Sequence, residues 1–416
     1  MNTTSAPPFT AAYQRTVVDA LRAVLPERCV LFNEEDTRPY ECDGLAAYAQ
    51  LPMVVVLPDT EAQVIAAIKV CHALKVPIVP RGAGTGLSGG ALPIADGIVL
   101  STARLNKIVK VDAYARTAVV QPGVRNLAIS EAVAPLGLYY APDPSSQIAC
   151  TIGGNVAENS GGVHCLKYGL TVHNVMRVRV VTIEGDVVEL GNAALDAPGL
   201  DLLSVFVGSE GMLGMVTEVT VKLIPKPKLA RVILASFDDV VKGGNAVASV
   251  IAAGIIPAGL EMMDKTSSRM VEPFVKAGYD IDAEALLLCE SDGIPEEVDE
   301  EIARMTEVLK HSGATAIAVS QNEAERLRFW SGRKNAFPAA GRISPDYYCI
   351  DGTIPRRSLA DVLLGIAEME VKYGLRCANV FHAGDGNLHP LILFDANQEG
   401  EFHRAELFGA EILEMC

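Results

Sequence analysis

Two histidines in one short stretch are the side chains of this sequence best suited to metal or acid–base chemistry. His382 and His389 stand in Phe-His-Ala-Gly-Asp-Gly-Asn-Leu-His-Pro, residues 381–390, and only seven histidines occur in the chain. A strand, a Gly-Asp-Gly turn and a returning strand would bring both imidazoles to one edge of a hairpin. Imidazole is the commonest metal ligand in proteins, so the pair indicates a Lewis-acid site; two polar hairpin residues satisfied by their neighbours are the other interpretation. We interpret Asp385 as a turn residue.

A glycine-dense loop at residues 81–90 could hold a diphosphate. It reads Arg-Gly-Ala-Gly-Thr-Gly-Leu-Ser-Gly-Gly, and Gly84, Gly86 and Gly89 match the pattern G-x-G-x-x-G. A Rossmann dinucleotide site also needs a helix that begins at the loop and an acidic residue about 20 positions later. Here the loop runs on into a proline, and Val109 stands at the acidic position. A nicotinamide site is therefore excluded, which leaves a cradle of backbone N–H groups or a flexible turn.

Two further segments are rich in glycine. Residues 142–162 begin with Pro-Asp-Pro-Ser-Ser and hold four glycines and two prolines, and residues 208–214 read Gly-Ser-Glu-Gly-Met-Leu-Gly. Backbone with few side chains can approach a flat ligand closely. Three such segments in one half of the chain indicate a single large nucleotide cofactor bound along its length.

Short strands and helices alternate in the parts of the chain that would position these segments. Thr60 with Gln63 three residues later predicts the start of a helix by a capping box, and the hydrophobic periodicity predicts strands at 53–57, 76–79, 97–101, 118–121, 177–182, 187–189 and 214–223. After a linker at Pro225–Lys228, strands are predicted at 231–237, 377–381 and 388–394, and helices at 240–253, 296–310 and from Ser358 to about 373. The pattern predicts an α+β fold in three parts: an N-terminal helical segment (1–50), a first domain (51–225) and a second (230–416).

Composition narrows the partners and the compartment. The chain has 416 residues with 35 basic and 51 acidic side chains, a net charge of −16, so nucleic acid and anionic membrane surfaces are disfavoured as main partners. Its nine cysteines are scattered and form no C-x-x-C pair, which predicts a reducing, cytoplasmic location without a cysteine-held cluster. No apolar run is long enough for a membrane span, and Met1–Thr10 shows no secretory signal.

The glycine segments carry a family resemblance. Residues 81–90, 142–146, 151–169 and 208–217 resemble, in order and spacing, the FAD-binding domain of vanillyl-alcohol oxidase-type flavoproteins. Nearly the whole chain resembles the FAD-linked 2-hydroxy-acid oxidases and dehydrogenases, the family of the glycolate oxidase flavin subunit, D-lactate dehydrogenase and D-2-hydroxyglutarate dehydrogenase. The resemblance implies a two-part FAD-binding domain followed by an α+β substrate-capping domain, and the oxidation of a small 2-hydroxy acid, glycolate to glyoxylate first of all, by hydride transfer to flavin N5.

The resemblance also implies roles for individual residues. In the family the first loop and a serine hold the pyrophosphate, the next two segments run along the isoalloxazine and ribityl, and the last meets the adenosine. The FAD-binding residues carried over in this way are Arg81, Gly82, Gly84, Thr85, Gly86, Ser88, Pro142, Ser145, Gly153, Asn155, Gly161 and Val216. His164 is expected to lie near the flavin without a covalent tether.

The substrate half of the site follows from the same resemblance. Relatives bind a divalent metal (Zn, Mn or Fe) with the hairpin of His382 and His389, which makes a metal site the favoured interpretation of that pair. Arg333 matches the family's substrate arginine, and its planar fork suits a carboxylate; a surface arginine on a helix is the alternative. Trp330, the single tryptophan, is expected in the core.

The sequence also predicts electron-accepting partners for the chain and the loss of a family motif after the hairpin. Without a cysteine cluster, reduced flavin must pass its electrons to another subunit or a diffusible acceptor, and the resemblance implies a second flavin-type subunit, an iron–sulfur subunit and membrane association through them. Relatives carry a Gly-Glu-His-Gly-like motif after the hairpin that is missing here, so the sequence is expected to be cut short. The alternative functions to glycolate oxidation are those of a D-lactate or D-2-hydroxyglutarate dehydrogenase and of a flavin-binding subunit without catalysis.

Overall fold

The structure is a computed structural model that describes residues 9–194 and 198–416. The chain divides into two compact units, the first of residues 1–161 and 169–226, the second of residues 162–168 and 227–416. The prediction about a secretory signal at Met1–Thr10 falls almost wholly on residues outside the described part. Within the described residues, no helix has both the length and the apolar character needed to cross a bilayer.

The first unit contains most of the short elements. Its helices are α1 (Ala11–Arg22), α2 (Glu34–Thr37), α3 (Glu61–Leu74), α4 (Asn126–Val133), α5 (Ile152–Glu158), α7 (Thr171–Asn174) and α8 (Leu202–Phe206), with α6 (Cys165–Tyr168) in the second unit. Its strands are β1 (Val30–Leu31), β2 (Val54–Val56), β3 (Ile78–Arg81), β4 (Ile98–Ser101), β5 (Ile108–Asp112), β6 (Thr117–Val120), β7 (Leu138–Tyr139), β8 (Val175–Val181), β9 (Val187–Gly191), β10 (Met215–Lys222) and β11 (Ile224–Pro225).

These strands form two main sheets. One has the order β1-β2-β4-β3, with β2, β3 and β4 parallel, and the other is an antiparallel sheet of order β5-β6-β10-β8-β9. The capping-box prediction at Thr60 is confirmed, since its side chain accepts a hydrogen bond from the N–H of Gln63. Residues 11–50 are not a separate body: β1 pairs with β2, and α1 packs into the same apolar core as α3.

The second unit is built on one large sheet. Its strands are β12 (Leu229–Phe237), β13 (Gly259–Asp264), β14 (Ala285–Gly293), β15 (Ala316–Val319), β16 (Asp346–Cys349), β17 (Gly352–Thr353), β18 (Arg376–Phe381), β19 (Asn387–Leu388) and β20 (Pro390–Phe394). Its further helices are α9 (Val240–Ala252), α10 (Lys265–Val275), α11 (Pro295–His311), α12 (Glu323–Lys334), α13 (Ala336–Ile343), α14 (Leu359–Tyr373) and α15 (Glu401–Met415).

Seven of these strands form the sheet β15-β12-β14-β13-β18-β20-β16, and α9, α11, α14 and α15 cover one face with the main apolar core. Side chains of a strand alternate between faces, so the other face receives Glu261, Glu290 and, just past β18, His382. Mixed helices and antiparallel sheets confirm the α+β prediction. Ser358 precedes α14 as predicted, but its side chain makes no capping hydrogen bond.

Candidate functional site

The glycine loop follows β3 in the first unit and offers its backbone to a ligand. Within the described residues, no backbone carbonyl accepts a hydrogen bond from the N–H groups of residues 82–88. Buried or half-buried N–H groups need a partner, and a diphosphate supplies several acceptor oxygens. The loop therefore leaves these N–H groups available to the oxygen atoms of a ligand.

Thr151 brings the second glycine segment against this loop. A Cβ atom on Gly82 would stand 2.6 Å from Thr151 Oγ1, so only glycine allows this approach. The same Oγ1 is buried and has no hydrogen-bond partner. An unpartnered buried hydroxyl beside unpaired N–H groups fits the polar atoms of an FAD pyrophosphate, and these residues would hold it.

Arg81, the first residue of the loop segment, stabilises the loop by hydrogen bonds to backbone carbonyls. Its Nη1 donates to the carbonyl of Cys42 at 2.8 Å and to that of Ala91 at 3.5 Å, and the guanidinium lies 5.5 Å from the ring centre of Tyr40. The side chain is buried and thus ties both ends of the loop region to the N-terminal segment. Its contacts are with the protein's own backbone.

The other predicted FAD residues are spread through the first unit. Ser88 Oγ donates to Glu158 Oε2 at 3.1 Å, and the carbonyl of Pro142 accepts from Asn126 Nδ2 at 3.0 Å. Val216 is buried in the core of the antiparallel sheet. Thr85 and Gly86 lie in the loop, Gly153 and Asn155 in α5, Ser145 on an exposed turn, and Gly161 at the point where the chain leaves this unit.

Gly84→Ala is expected to lower the FAD content of the purified protein. Gly84 has φ +70°, and a Cβ there would collide with the Arg81 guanidinium. Gly137→Ala is the matched control, because Gly137 has φ +69° but nothing within 4 Å of its Cβ position. Both substitutions cost about 1 kcal/mol of backbone strain, so only Gly84→Ala should reduce the flavin-to-protein ratio. Equal ratios in the two variants would contradict the cradle.

The polar face of the large sheet, in the second unit, holds the two hairpin histidines. The ring centres of His382 and His389 lie 5.1 Å apart with an angle of 87° between the planes. The N–H of Gly384 donates to the carbonyl of Leu260 at 2.8 Å, which attaches the hairpin turn to β13. The structure thus brings both predicted histidines to one place.

Glu261 lies between His382 and Arg333. His382 Nδ1 donates to Glu261 Oε1 at 2.7 Å, and Arg333 Nε donates to Glu261 Oε2 at 2.6 Å. The Arg333 and Glu261 side chains are each 1% exposed, so Arg333 is not a surface arginine. Its Nη2 is buried and has no hydrogen-bond partner, which leaves a donor for an incoming carboxylate.

The protonation states of Glu261 and His389 follow from their burial and from the charges beside them. Burial alone would raise the pKa of Glu261, but His382 and Arg333 beside it hold that pKa below its ordinary value. Burial, with the charges of His382 and Arg333, lowers the pKa of His389 well below its ordinary value, so its imidazole is neutral near pH 7. A neutral imidazole is the form that ligates a metal or takes up a proton.

A carboxylate also lies next to His389. Asp351 Oδ1 is 3.8 Å from His389 Nδ1 and accepts a hydrogen bond from Asn387 Nδ2 at 2.6 Å. Asp385, predicted as a turn residue, uses its backbone N–H to bond the carbonyl of His382.

Two more buried carboxylates on β14 were not predicted. Glu290 accepts from His164 Nε2 at 3.1 Å, from Arg326 and from Trp330 Nε1, and Trp330 is buried as expected. Asp292 accepts from Lys167 Nζ at 2.8 Å and from the Tyr168 hydroxyl. These bonds hold residues 162–168 on the sheet of the second unit.

A divalent metal fits this group only with two protein ligands. His382 uses Nδ1 for Glu261 and keeps Nε2, and His389 is neutral. In residues 9–194 and 198–416, no three His, Cys, Asp or Glu side chains are grouped so that they could hold a metal ion. Catalytic zinc sites use three protein ligands.

The residues that sequence reasoning missed share one signal. Glu261 and Glu290 are acidic residues inside otherwise apolar strands, Gly-Leu-Glu-Met-Met and Leu-Leu-Leu-Cys-Glu. Charged side chains are almost never fully buried unless they are paired, so an acid at such a position indicates an ionic partner. The partner's identity is not readable from the strand itself.

Comparison with known proteins identifies the family of the chain. Residues 52–191 match the family model described as FAD binding domain, and residues 226–416 match FAD linked oxidases, C-terminal domain. The glycolate oxidase subunit GlcD of Escherichia coli is 63% identical over 96% of this chain and 80% of its own length. GlcD of Bacillus subtilis is 39% identical over 90% and 80%, and D-lactate dehydrogenase of Anaerostipes hadrus 32% over 93% and 83%.

Solved structures agree on the fold. p-Cresol methylhydroxylase with substrate bound has a TM-score of 0.82 at 20% identity, covering 98% of this chain and 88% of the other. Alkyldihydroxyacetonephosphate synthase has a TM-score of 0.80 at 19% identity, covering 100% and 81%. The chain carries an FAD-binding domain and belongs to the family of FAD-linked hydroxy-acid oxidoreductases that includes the glycolate oxidase subunit GlcD.

Proposed function

We propose that this chain oxidises a small 2-hydroxy acid, glycolate in the first place, with FAD as the hydride acceptor. The observation that carries the proposal is the buried Arg333, whose Nη2 has no partner among the described residues and whose partner carboxylate, Glu261, also accepts from His382. A guanidinium donor suits the substrate carboxylate, and an imidazole suits the hydroxyl beside it. The 63% identity to a glycolate oxidase subunit favours glycolate among the 2-hydroxy acids.

The residues have separate roles in this proposal. Arg333 binds and orients the carboxylate, while the neutral imidazole of His389 is able to take the hydroxyl proton. Bound FAD supplies a two-electron acceptor for the hydride. Residues 82–88 and Thr151 hold the FAD pyrophosphate in the first unit, with Arg81 supporting their loop.

Anaerobic addition of substrate tests the function. Glycolate should bleach the flavin absorbance of the holoprotein faster than D-lactate or D-2-hydroxyglutarate does. Faster bleaching by D-lactate would favour the second candidate, which the 32% identity to D-lactate dehydrogenase of Anaerostipes hadrus supports. Bound flavin that no 2-hydroxy acid bleaches would overturn the catalytic proposal in favour of a non-catalytic flavin-binding subunit.

We propose a divalent metal at His382 and His389 as the alternative to a proton acceptor at His389, because a ring nitrogen that is bonded to a metal cannot also take up a proton. It is supported by the distance of 5.1 Å between the two ring centres and by the neutral state of His389. A bound Zn, Mn or Fe ion would polarise the substrate hydroxyl. Metal analysis tests it: because the described residues supply two ligands where catalytic zinc sites use three, we expect binding only with added metal, at about one zinc ion per chain in the wild type and none in His382→Gln.

Electron acceptors and location complete the proposal. Electrons from reduced flavin pass to a partner subunit or a quinone-linked acceptor, because the scattered cysteines form no cluster motif in this chain. The Escherichia coli relative is a glycolate oxidase subunit, which supports a complex. We propose a second flavin-type subunit and an iron–sulfur subunit as the other members of this complex. A cytoplasmic location is supported by nine cysteines that form no disulfide.

A further inference from the structure

We propose that Glu261 is a positioning residue: it fixes His382 in the Nδ1–H tautomer and keeps one guanidinium N–H of Arg333 available for the substrate. The role in substrate binding rests on the proposed function, whereas the tautomer does not. The Glu261 carboxylate is hydrogen-bonded to His382 and Arg333. It acts through them.

The two carboxylate oxygens of Glu261 are bonded to different partners. An arginine and a carboxylate commonly form two parallel hydrogen bonds. Here Oε1 accepts from His382 at 2.7 Å, and only Oε2, at 2.6 Å from Nε, is bonded to Arg333. Nη2 consequently stays buried without a partner. The histidine thus competes for the oxygen that would otherwise satisfy the arginine.

The contact with Glu261 determines which ring nitrogen of His382 carries the proton. An ionised carboxylate accepts hydrogen bonds and donates none, so His382 Nδ1 must carry the hydrogen in this contact. In the neutral ring, Nε2 then has a free electron pair. That nitrogen is the one left for a ligand or a proton.

The fold holds the contact between Glu261 and His382 in place. Glu261 and its two partners are largely withdrawn from water, with the Glu261 side chain 1% and the His382 side chain 12% exposed. In β13 the residues after it, Met262 and Met263, pair with Phe381 and Val380 of β18, directly before His382. The strand register therefore sets which acid meets the histidine.

Glu290 provides a matched control for the possibility that Glu261 only stabilises the fold. It lies on the same sheet face, is also 1% exposed, and accepts hydrogen bonds from a histidine, His164, and an arginine, Arg326. Among the described residues, its side-chain hydrogen bonds go to His164 and to Arg326 and Trp330 of α12, and none goes to His382 or Arg333. Removing its charge therefore tests the loss of a buried carboxylate on this sheet face without changing the contact with His382.

The test is the tautomer of His382 in the FAD-loaded protein. Long-range ¹H–¹⁵N spectra of protein labelled in its seven histidines identify which ring nitrogen carries the hydrogen, and the signal that disappears in His382→Gln assigns the residue. We expect Nδ1–H in the wild type. In Glu261→Gln the amide oxygen can still accept from Arg333, while the amide N–H₂ donates to Nδ1, so His382 should change to Nε2–H.

The variants separate the outcomes. Glu290→Gln should leave the His382 signal unchanged, and Glu261→Asp should retain Nδ1–H because the charge is kept. Flavin reduction by the hydroxy acid should slow about 10- to 100-fold in Glu261→Gln. A wild-type His382 with hydrogen on Nε2, or the same tautomer in wild type and Glu261→Gln, overturns the proposal. Because the spectra need no substrate, a protein that oxidises no hydroxy acid would refute the proposed function alone.

Discussion

Arg333→Met is expected to lower kcat/KM for the 2-hydroxy acid by about a hundred- to a thousandfold, because a charged hydrogen-bonded contact to the carboxylate is lost. The unpartnered Nη2 is the donor concerned. The FAD content should not change, since the predicted FAD residues all lie in the first unit. Steady-state rates together with the flavin-to-protein ratio measure both effects.

The same substitution has a cost in stability. It leaves Glu261 buried without its guanidinium partner, and breaking a buried ion pair in this way costs about 3–5 kcal/mol. The double variant Arg333→Met/Glu261→Gln removes both charges and should regain much of that loss without regaining activity. Denaturant unfolding of the two variants measures this difference.

Arg328→Met is the control on the same helix. Arg328 lies in α12 with a half-exposed side chain paired with Glu325, where surface ion pairs contribute little. Its variant should keep the wild-type kcat/KM. An Arg333→Met protein that retains FAD and the wild-type kcat/KM would show that the substrate carboxylate binds elsewhere.

His389→Gln is expected to slow flavin reduction by the hydroxy acid about 10²- to 10⁴-fold, the range for loss of a positioned acid or base. Glutamine can accept a hydrogen bond but cannot take up the proton that the neutral imidazole accepts. FAD should remain bound. Stopped-flow measurement of flavin bleaching gives the rate directly, apart from any step with a later electron acceptor.

His403→Gln is the matched histidine control, because His403 lies in α15 with its side chain 72% exposed. It should reduce flavin at the wild-type rate. A His389→Gln rate within threefold of the wild type, with His403→Gln unchanged, would remove His389 from the reaction.

Much of the fold follows from local sequence patterns. The capping box at Thr60 begins α3, and the predicted linker at Pro225–Lys228 lies where the first unit ends, at Lys226. Strand boundaries differ from the predicted ones by one or two residues; the strand predicted at 76–79, for example, is β3 at Ile78–Arg81. The α+β class was readable because periodicity and turn residues act over short distances.

The site was readable only in part. Residue types and spacing identified the glycine loop and the hairpin histidines, since each depends on a few neighbouring residues. Arg333 was identified by family resemblance, but its burial and its partner were not, because Glu261 is 72 residues away in the chain. Nothing near Arg333 in the sequence indicates a carboxylate on β13.

The sequence by itself identified the glycine loop, the histidine pair and the two main parts of the chain, because these features are local in the chain. Only the tertiary structure decided which acids meet which bases: Glu261 with His382 across 121 positions, and Glu290 with His164 across 126. Those contacts depend on strand register in the large sheet, and a shift of one residue would turn each acid to the opposite face. Register is a property of the packed sheet, which explains why the contact between His382 and Glu261 and the unpaired donor of Arg333 become visible only in the fold.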